Sequence, residues 1–280
     1  MFMPILIDSD YSNRFIRQLV VSILVPLYFF LSFNTYAGGL TLPADSLGSS
    51  RLHEAYQNQL VKAHQEAIIG YKSGLMSKAA YQKFGLAEPI TGVFEADSAK
   101  TNAADFVIDV DKKLMIELEL AYRLKRDIHM PVAAHSLLNV IDAVAPAIEI
   151  PNLAGHSSQS RGEDLIRRNV YAHQFIIGDW KALSSLSFSQ LDQMPVALYC
   201  RQKLQSSGTP ANALEGQQTA LIWMINHLLK LGFPLQKGHI LLTGNLINMT
   251  PLAPCLFKAQ FDELGQVEFT AKPPKTALQH

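Results

Sequence analysis

Residues 114–122 read Leu-Met-Ile-Glu-Leu-Glu-Leu-Ala-Tyr, and this stretch decides how the chain folds. Apolar residues alternate strictly with Glu117 and Glu119 in its centre. Successive side chains of a β-strand point to opposite faces, so both glutamates lie on one face, roughly 7 Å apart along the strand. The segment therefore predicts a β-strand that carries two carboxylates on a single face.

The face with the two glutamates also carries Met115 and Ala121, and a third isolated acid, Glu149, lies in the apolar run 147–150. An arbitrary Glu-x-Glu pattern usually belongs to an amphipathic strand that faces water, and that alternative stays open. Burying like charges is costly unless a cation or a proton compensates them, so three acids without basic neighbours in sequence indicate a metal site. Oxygen ligands favour a hard ion, with Mg²⁺ first and Mn²⁺ or Ca²⁺ next.

Lys72 lies in a glycine-flanked stretch, residues 70–75. A lysine that is partly desolvated beside a metal can exchange protons near neutral pH. From these residues alone, however, a solvated loop lysine is the better interpretation.

The remaining apolar pattern predicts short strands with a few helices between them, which is typical of an α+β fold. Helical spacing predicts helices at 51–67, 77–84, 133–144 and 219–231. Runs of β-type residues predict strands at 106–110, 114–122, 145–150, 174–177, 196–200, 239–242, 256–261 and 266–270.

Composition excludes several classes of partner. The chain has 280 residues, 48% of them hydrophobic, and its 24 basic residues balance 24 acidic ones. A chain of this kind buries a substantial core, and it shows no electrostatic footprint for nucleic acid, a polyanion or an anionic membrane surface. A small neutral or anionic molecule is the expected partner.

The N-terminal segment has the layout of a signal peptide. Arg14 and Arg17 precede an apolar run at 19–33, and small residues follow up to Gly39. The run is shorter than the roughly twenty residues of a spanning helix, so we expect cleavage after Ala37, export to the periplasm or medium, and no stable membrane association. A misplaced start codon, which would leave the protein in the cytoplasm, is the alternative.

Only two cysteines, Cys200 and Cys255, occur in the chain, and they form no metal-binding pattern. One disulfide is possible in an oxidising compartment. Two buried free thiols are at least as well supported by the sequence, because unpaired cysteine is among the most buried residue types.

Several collinear stretches between Arg51 and Thr270 resemble the 2-keto-4-pentenoate hydratase branch of the fumarylacetoacetate hydrolase superfamily. The matching stretches are Glu54-Ala55-Tyr56, Gly70-Tyr71-Lys72-Ser73-Gly74-Leu75, Phe84-Gly85, Glu117-Leu118-Glu119, Ala147-Ile148-Glu149-Ile150, Asn169 with Phe175-Ile176-Ile177-Gly178, Trp223 with Asn226, and Leu242-Thr243-Gly244.

The resemblance implies a mixed β-sheet, barrel-like core at 106–271, of the type found in the C-terminal domain of that superfamily. A small helical region at 38–105 packs on this core, between the signal peptide at 1–37 and a flexible tail at 272–280. Homo-oligomers are usual in the family, so a homo-oligomer is expected here too.

The resemblance also implies a chemistry. Glu117, Glu119 and Glu149 match the acids that hold Mg²⁺ or Mn²⁺, and Lys72 matches a lysine that takes part in proton transfer. The substrate is expected to be a small 2-oxo or 2-hydroxydienoic acid, chelated through its oxo or enol oxygen and carboxylate while water adds to the conjugated alkene. Alternatives are a decarboxylase, a C–C hydrolase, or an exported oxo-acid-binding protein without activity.

Five further residues are predicted to contact the substrate: Gly74, Leu75, Tyr171, His173 and Thr243. Where the family commonly has small residues after the matched asparagine, this chain has Val-Tyr-Ala-His at 170–173. The sequence therefore predicts a substrate pocket that differs from the family's usual one.

Overall fold

The structure is a computed structural model, and it describes residues 50–109 and 111–273. The predicted signal peptide, its cleavage site and most of the predicted C-terminal tail lie outside the described residues. Within those ranges, no helix is long and apolar enough to cross a bilayer.

The described residues form six α-helices. They are α1 (Ser50–Gln65), α2 (Lys78–Lys83), α3 (Leu137–Val140), α4 (Gly162–Arg167), α5 (Phe188–Gln193) and α6 (Gln217–Leu231). Ser77 caps the N-terminus of α2, because its hydroxyl accepts a hydrogen bond from the Ala80 amide at 3.2 Å. Helix α6 ends at Leu231 and is followed by Gly232, whose left-handed backbone (φ 86°) caps its C-terminus.

Fourteen β-strands make up most of the remaining regular structure. They are β1 (Ile68–Gly74), β2 (Ile90–Glu95), β3 (Ala99–Lys100), β4 (Asp105–Val107), β5 (Met115–Leu124), β6 (Ile141–Ile150), β7 (Gln174–Ile177), β8 (Lys181–Ala182), β9 (Val196–Cys200), β10 (Lys203–Gly208), β11 (Ile240–Leu242), β12 (Thr250–Pro251), β13 (Cys255–Phe261) and β14 (Gly265–Lys272).

The strands form two sheets. A nine-stranded mixed sheet has the order β2-β1-β11-β5-β6-β7-β3, with β12 paired to β5 and β8 paired to β6. A five-stranded sheet has the order β10-β9-β13-β14-β4. Both contain parallel and antiparallel pairs, so the predicted α+β class with a mixed, barrel-like sheet is confirmed.

One apolar core joins the two sheets and α6. Strand β5 contributes Leu118 and Leu120, the five-stranded sheet contributes Phe257 and Phe269, and all four side chains are almost fully buried. The buried face of α6 packs into the same cluster. The alternation of β5 thus gives one of its faces to this core and leaves the glutamate face for the opposite side of the sheet.

Two sequence predictions need correction. The region 38–105 is predicted as helical, yet β1 and β2 lie in it and belong to the nine-stranded sheet. The predicted helix at 133–144 is wrong beyond Val140, because Ile141 already begins β6. Since β6 is a central strand buried on both faces, it reads as a continuous apolar run rather than as an alternating one.

A disulfide joins Cys200 of β9 to Cys255 of β13, with their Cα atoms 5.9 Å apart. Of the two alternatives open from the sequence, the bridge is the one the structure contains. Strands β9 and β13 are neighbours in the five-stranded sheet, although they come from distant parts of the chain. The disulfide therefore links two adjacent strands covalently.

Replacing both cysteines in a Cys200→Ala/Cys255→Ala variant is expected to lower the free energy of unfolding by about 2–4 kcal/mol, because the unfolded chain gains conformational freedom. Urea denaturation followed by circular dichroism measures the change. Dithiothreitol is expected to destabilise the wild type by a similar amount and to leave the double variant unaffected. Equal stability of the oxidised wild type and the variant would contradict a structural role for the bridge.

Candidate metal centre and ligand cavity

The pairing of β5 with β6 brings the three acids together. In this antiparallel pair Glu117 lies directly opposite Glu149, and Glu119 lies opposite Ala147 on the same face. One carboxylate oxygen from each glutamate lies within 4.8 Å of the other two. The two acids that the sequence places on one face of a strand thus meet the third across the sheet.

The cluster is buried among apolar side chains. Glu119 and Glu149 are fully buried, and the Glu117 side chain is 13% exposed. A group of buried apolar side chains packs on the same face of the sheet beside the glutamates. Its members are Phe94, Ala121, Ala147, Phe175 and Leu242. The alternative of a water-facing amphipathic strand is therefore excluded.

Burial raises the pKa of Glu117 to about 7, with Lys72 opposing the rise and Glu149 adding to it. Burial together with the neighbouring carboxylates holds the pKa of Glu119 well above its usual range. Both shifts have one physical cause, since the ionised form has lost water and gained like charges nearby. A cation placed among these groups would favour their ionised forms.

Among the described residues, Lys72 supplies the one positive side chain at the cluster. Its Nζ donates a hydrogen bond to Glu149 Oε1 at 2.5 Å and lies 3.9 Å from Glu117 Oε2. Burial alone would lower the pKa of Lys72, but the three carboxylates outweigh it and raise the pKa. The ammonium ion is therefore the form present in the metal-free protein at neutral pH.

The interpretation of Lys72 as a solvated loop residue is wrong, since it lies inside β1 and is 3% exposed. Strand β1 pairs in parallel with β11, which places Lys72 beside Leu242, and β11 in turn separates β1 from β5. Gly70 permits this close pairing, because a Cβ atom there would lie 2.1 Å from the carbonyl oxygen of Ile240.

The donors present fit a divalent cation. Glu119 Oε1 and Glu149 Oε2 are buried and have no hydrogen-bond partner in the described part of the chain. Three carboxylates against one lysine leave an excess of negative charge when all are ionised, and unpaired buried oxygens are costly. An all-oxygen ligand set without cysteine or histidine favours Mg²⁺ or Mn²⁺ over zinc.

Gly244 is a contributor that the residue pattern alone did not single out. Its amide donates to Glu119 Oε2 at 2.7 Å and so fixes one of the three carboxylates. The backbone there has φ +102°, and a Cβ atom would lie 2.4 Å from Met76 Cγ, so only glycine fits. The available signal was a glycine two residues after the end of the short strand β11.

A cavity of about 470 Å³ opens on the cluster, with Lys72 and Glu117 in its lining. Of the five residues predicted to contact the substrate, Gly74, Leu75 and Tyr171 line this cavity. The other two do not. Thr243 is fully buried, where its hydroxyl donates to Gln217 Oε1 at 2.7 Å, and His173 lies beside Lys112.

An unusual turn explains why Tyr171 reaches the cavity while His173 does not. Asn169, Val170 and Tyr171 have φ values of 53°, 50° and 59°, so three consecutive non-glycine residues are left-handed. The Asn169 side chain holds the turn to β2, since its amide nitrogen donates to the Val93 carbonyl at 2.8 Å and its oxygen accepts from the Val93 amide at 2.7 Å. Such strain costs about 1–3 kcal/mol per residue and persists only where the surroundings enforce it.

Comparison with known proteins identifies solved structures that share this fold. No protein-family model matches the chain. The fold of the described residues is similar to those of two solved enzymes. A 4-oxalocrotonate decarboxylase from Pseudomonas putida G7, solved with magnesium and adipate, superposes with a TM-score of 0.72 at 21% identity, over 79% of this chain and 86% of its own. A maleylpyruvate hydrolase from Sphingobium sp. SYK-6, solved with manganese and pyruvate, has a TM-score of 0.55 at 14% identity, over 73% of this chain and 70% of its own.

The sequence relatives are named as hydratases. The chain is 29% identical over 245 residues to the TodF product hydratase of Pseudomonas putida F1, covering 83% of this chain and 89% of the relative. It is 27% identical to a 2-keto-4-pentenoate hydratase of Burkholderia vietnamiensis, over 76% of this chain and 81% of the relative. The resemblance to this hydratase branch that the sequence motifs indicate is therefore confirmed.

Without metal, stability is expected to fall as pH rises. The pKa of Glu117 is about 7 in the fold and 4.5 ordinarily. Because the folded protein holds this proton more tightly than the unfolded chain does, protonation adds at most about 3 kcal/mol to the free energy of unfolding. This contribution is fully present below pH 4.5 and is lost as pH rises through about 7. Saturating Mg²⁺ is expected to remove this fall, because the ion binds the ionised carboxylates. Melting temperatures from pH 4.5 to 8, in EDTA and in Mg²⁺, measure both effects.

The control is Glu117→Gln, which cannot titrate and is expected to show a smaller fall in the metal-free form. Sodium chloride at matched ionic strength separates specific binding from screening. If Mg²⁺ raises the melting temperature no more than sodium chloride does, the cluster is not a metal site.

Proposed function

We propose that this protein is a metal-dependent carbon–oxygen lyase of the hydratase type, which adds water to a small 2-hydroxydienoic acid or its 2-oxo tautomer. One observation carries the proposal. Three buried carboxylates with two unpaired oxygens, and one lysine among them, open on a cavity in a chain whose relatives are named hydratases.

In this proposal Glu117, Glu119 and Glu149 hold the ion. The bound ion supplies Lewis-acid stabilisation of the negative charge that develops on the 2-oxo group. Of the three glutamates, only Glu117 lines the cavity, so it would be the metal-holding residue that also faces the substrate. Gly244 and the β5–β6 pairing keep the other two carboxylates in place behind it.

Lys72 is the group proposed to move a proton. It lines the cavity, and its ammonium proton is held by Glu149 and Glu117 in the metal-free protein. When those carboxylates bind a cation they hold that proton less tightly, which makes Lys72 a better acid at the edge of the cavity. The apolar side chains beside the cluster limit the access of water molecules other than the one that adds to the substrate.

Activity is expected as a metal-dependent loss of 2-hydroxypenta-2,4-dienoate absorbance that EDTA abolishes and Mg²⁺ or Mn²⁺ restores. Lys72→Met is expected to lower kcat by roughly 100-fold or more, because a general acid is lost. Glu119→Gln is expected to weaken the response to metal. Lys78→Gln, on the exposed start of α2, is the matched control and is expected to act like the wild type.

Product identification separates the neighbouring functions. A hydrated 2-oxo acid supports the lyase, whereas release of carbon dioxide or carbon–carbon cleavage identifies a decarboxylase or a hydrolase that uses the same site. Unchanged substrate over long incubation, with metal-dependent binding, identifies an oxo-acid-binding protein. Loss of the dienoate at an equal rate in EDTA would contradict the metal mechanism.

We also propose that the protein is exported to the periplasm or the medium. The signal-like pattern before Gly39 supports this, and so does the Cys200–Cys255 disulfide, since structural disulfides form and persist mainly in oxidising compartments. The homo-oligomeric state implied by the family resemblance stays a prediction.

N-terminal sequencing of the protein recovered from fractionated native cells tests export. A periplasmic or secreted protein that begins near Gly38 is the expected result. A cytoplasmic protein that retains residues 1–37, or one that starts at an internal methionine, would show that the segment is not a working signal.

A further inference from the structure

A second part of the ligand cavity has its own chemistry. Four contiguous side chains form it, and we call them the basic wall: Lys83, Phe84, His156 and Tyr171. Lys83 Nζ lies 5.9 Å from the centre of the Phe84 ring, which lies 6.2 Å from the His156 ring. The His156 ring in turn meets the Tyr171 ring edge-on at 5.6 Å.

The basic wall presents hydrogen-bond donors. Tyr171 Oη and His156 Nδ1 lie 3.1 Å apart. Burial raises the pKa of the Tyr171 hydroxyl, which keeps its proton at neutral pH and can donate it to Nδ1. In a neutral imidazole whose Nδ1 accepts, Nε2 carries the hydrogen, and no hydrogen bond to His156 Nε2 occurs within residues 50–109 and 111–273.

The basic wall lacks an anion of its own. Lys83 forms no ion pair with any acid in the described part of the chain, although ten such pairs occur there. Of the acids in the described ranges, only Glu117 lines the cavity, and it lies with Lys72 in the acidic cluster. A lysine cation without an ion-pair partner and an imidazole N–H on the same cavity wall are complementary to an anionic group.

The basic wall and the acidic cluster are separate parts of one cavity. Within the described residues, no hydrogen bond, ion pair or ring contact joins any of the four wall residues to Lys72 or to the three glutamates. Apolar side chains line the cavity as well, among them Leu75, Leu165 and Val170. At about 470 Å³ the cavity lies within the size range of pockets that enclose whole small ligands.

We propose that the substrate is a dicarboxylate whose second carboxylate binds Lys83 Nζ and His156 Nε2, while its oxo-acid end binds at the metal centre and its carbon chain crosses the apolar lining. This inference rests on the proposed function for the oxo-acid end alone. The basic wall thus sets the substrate class, and monocarboxylates of the same length leave Lys83 without its partner.

Binding of two unreactive acids to the Mg²⁺-loaded protein tests this inference without turnover. Adipate and hexanoate both have six carbons and differ in one carboxylate. Isothermal titration calorimetry at fixed ionic strength is expected to give a Kd about tenfold lower for adipate, the gain typical of one added charge-assisted hydrogen bond. Lys83→Gln is expected to remove most of that preference.

The matched control is Lys78→Gln, which removes the same charge from the same helix at an exposed position outside the cavity lining, and it is expected to keep the preference. Equal or tighter binding of hexanoate by the wild type would overturn the inference and indicate an apolar tail. A preference for adipate that Lys83→Gln leaves intact would overturn it too.

Turnover separates this inference from the proposed function. The ratio of kcat/KM for 2-hydroxyhexa-2,4-dienedioate over 2-hydroxypenta-2,4-dienoate is expected to exceed one and to fall in Lys83→Gln. Metal-dependent turnover of both acids with a ratio of one or less would overturn the dicarboxylate inference and leave the lyase standing. Selective adipate binding without turnover of either acid would support the dicarboxylate inference and contradict the lyase proposal.

Discussion

Burial of like charge is the constraint on which the rest of this structure depends. The antiparallel register of β5 and β6 sets Glu117 against Glu149, and the same face adds Glu119. Such a cluster needs compensation by bound protons or by positive charge. Lys72 provides part of that charge, and the unpaired oxygens are placed to hold a divalent ion, which would provide the rest.

The same constraint links stability to chemistry. The surroundings that raise the pKa of Glu117 and Glu119 also make the site responsive to a cation, because each group changes its protonation when the ion arrives. Lys72 lies at the point where these charges meet the cavity. In the proposed function, this position of Lys72 would allow it to transfer a proton to or from the substrate.

Specificity is built by different elements from those that build the metal centre. The acids and the lysine come from strands inside one sheet, whereas the basic wall comes from α2, the segment before α4 and the left-handed turn at 169–171. The turn holds Val170 against Gly74 and Tyr171 against His156. In the proposed function, rigid strands would thus hold the ion, and connecting segments would shape the space for the rest of the substrate.

The sequence by itself determined what depends on local period and on residue chemistry. Alternation in residues 114–122 placed two glutamates on one face, and the α+β class, the cap of α2 and the end of α6 followed from similar local signals. Only the tertiary structure decided that Lys72 lies in a buried strand, that Cys200 pairs with Cys255, and that a lysine and a histidine share one wall. These outcomes depend on pairings between distant parts of the chain, such as β1 with β11, and a local pattern carries no information about such partners.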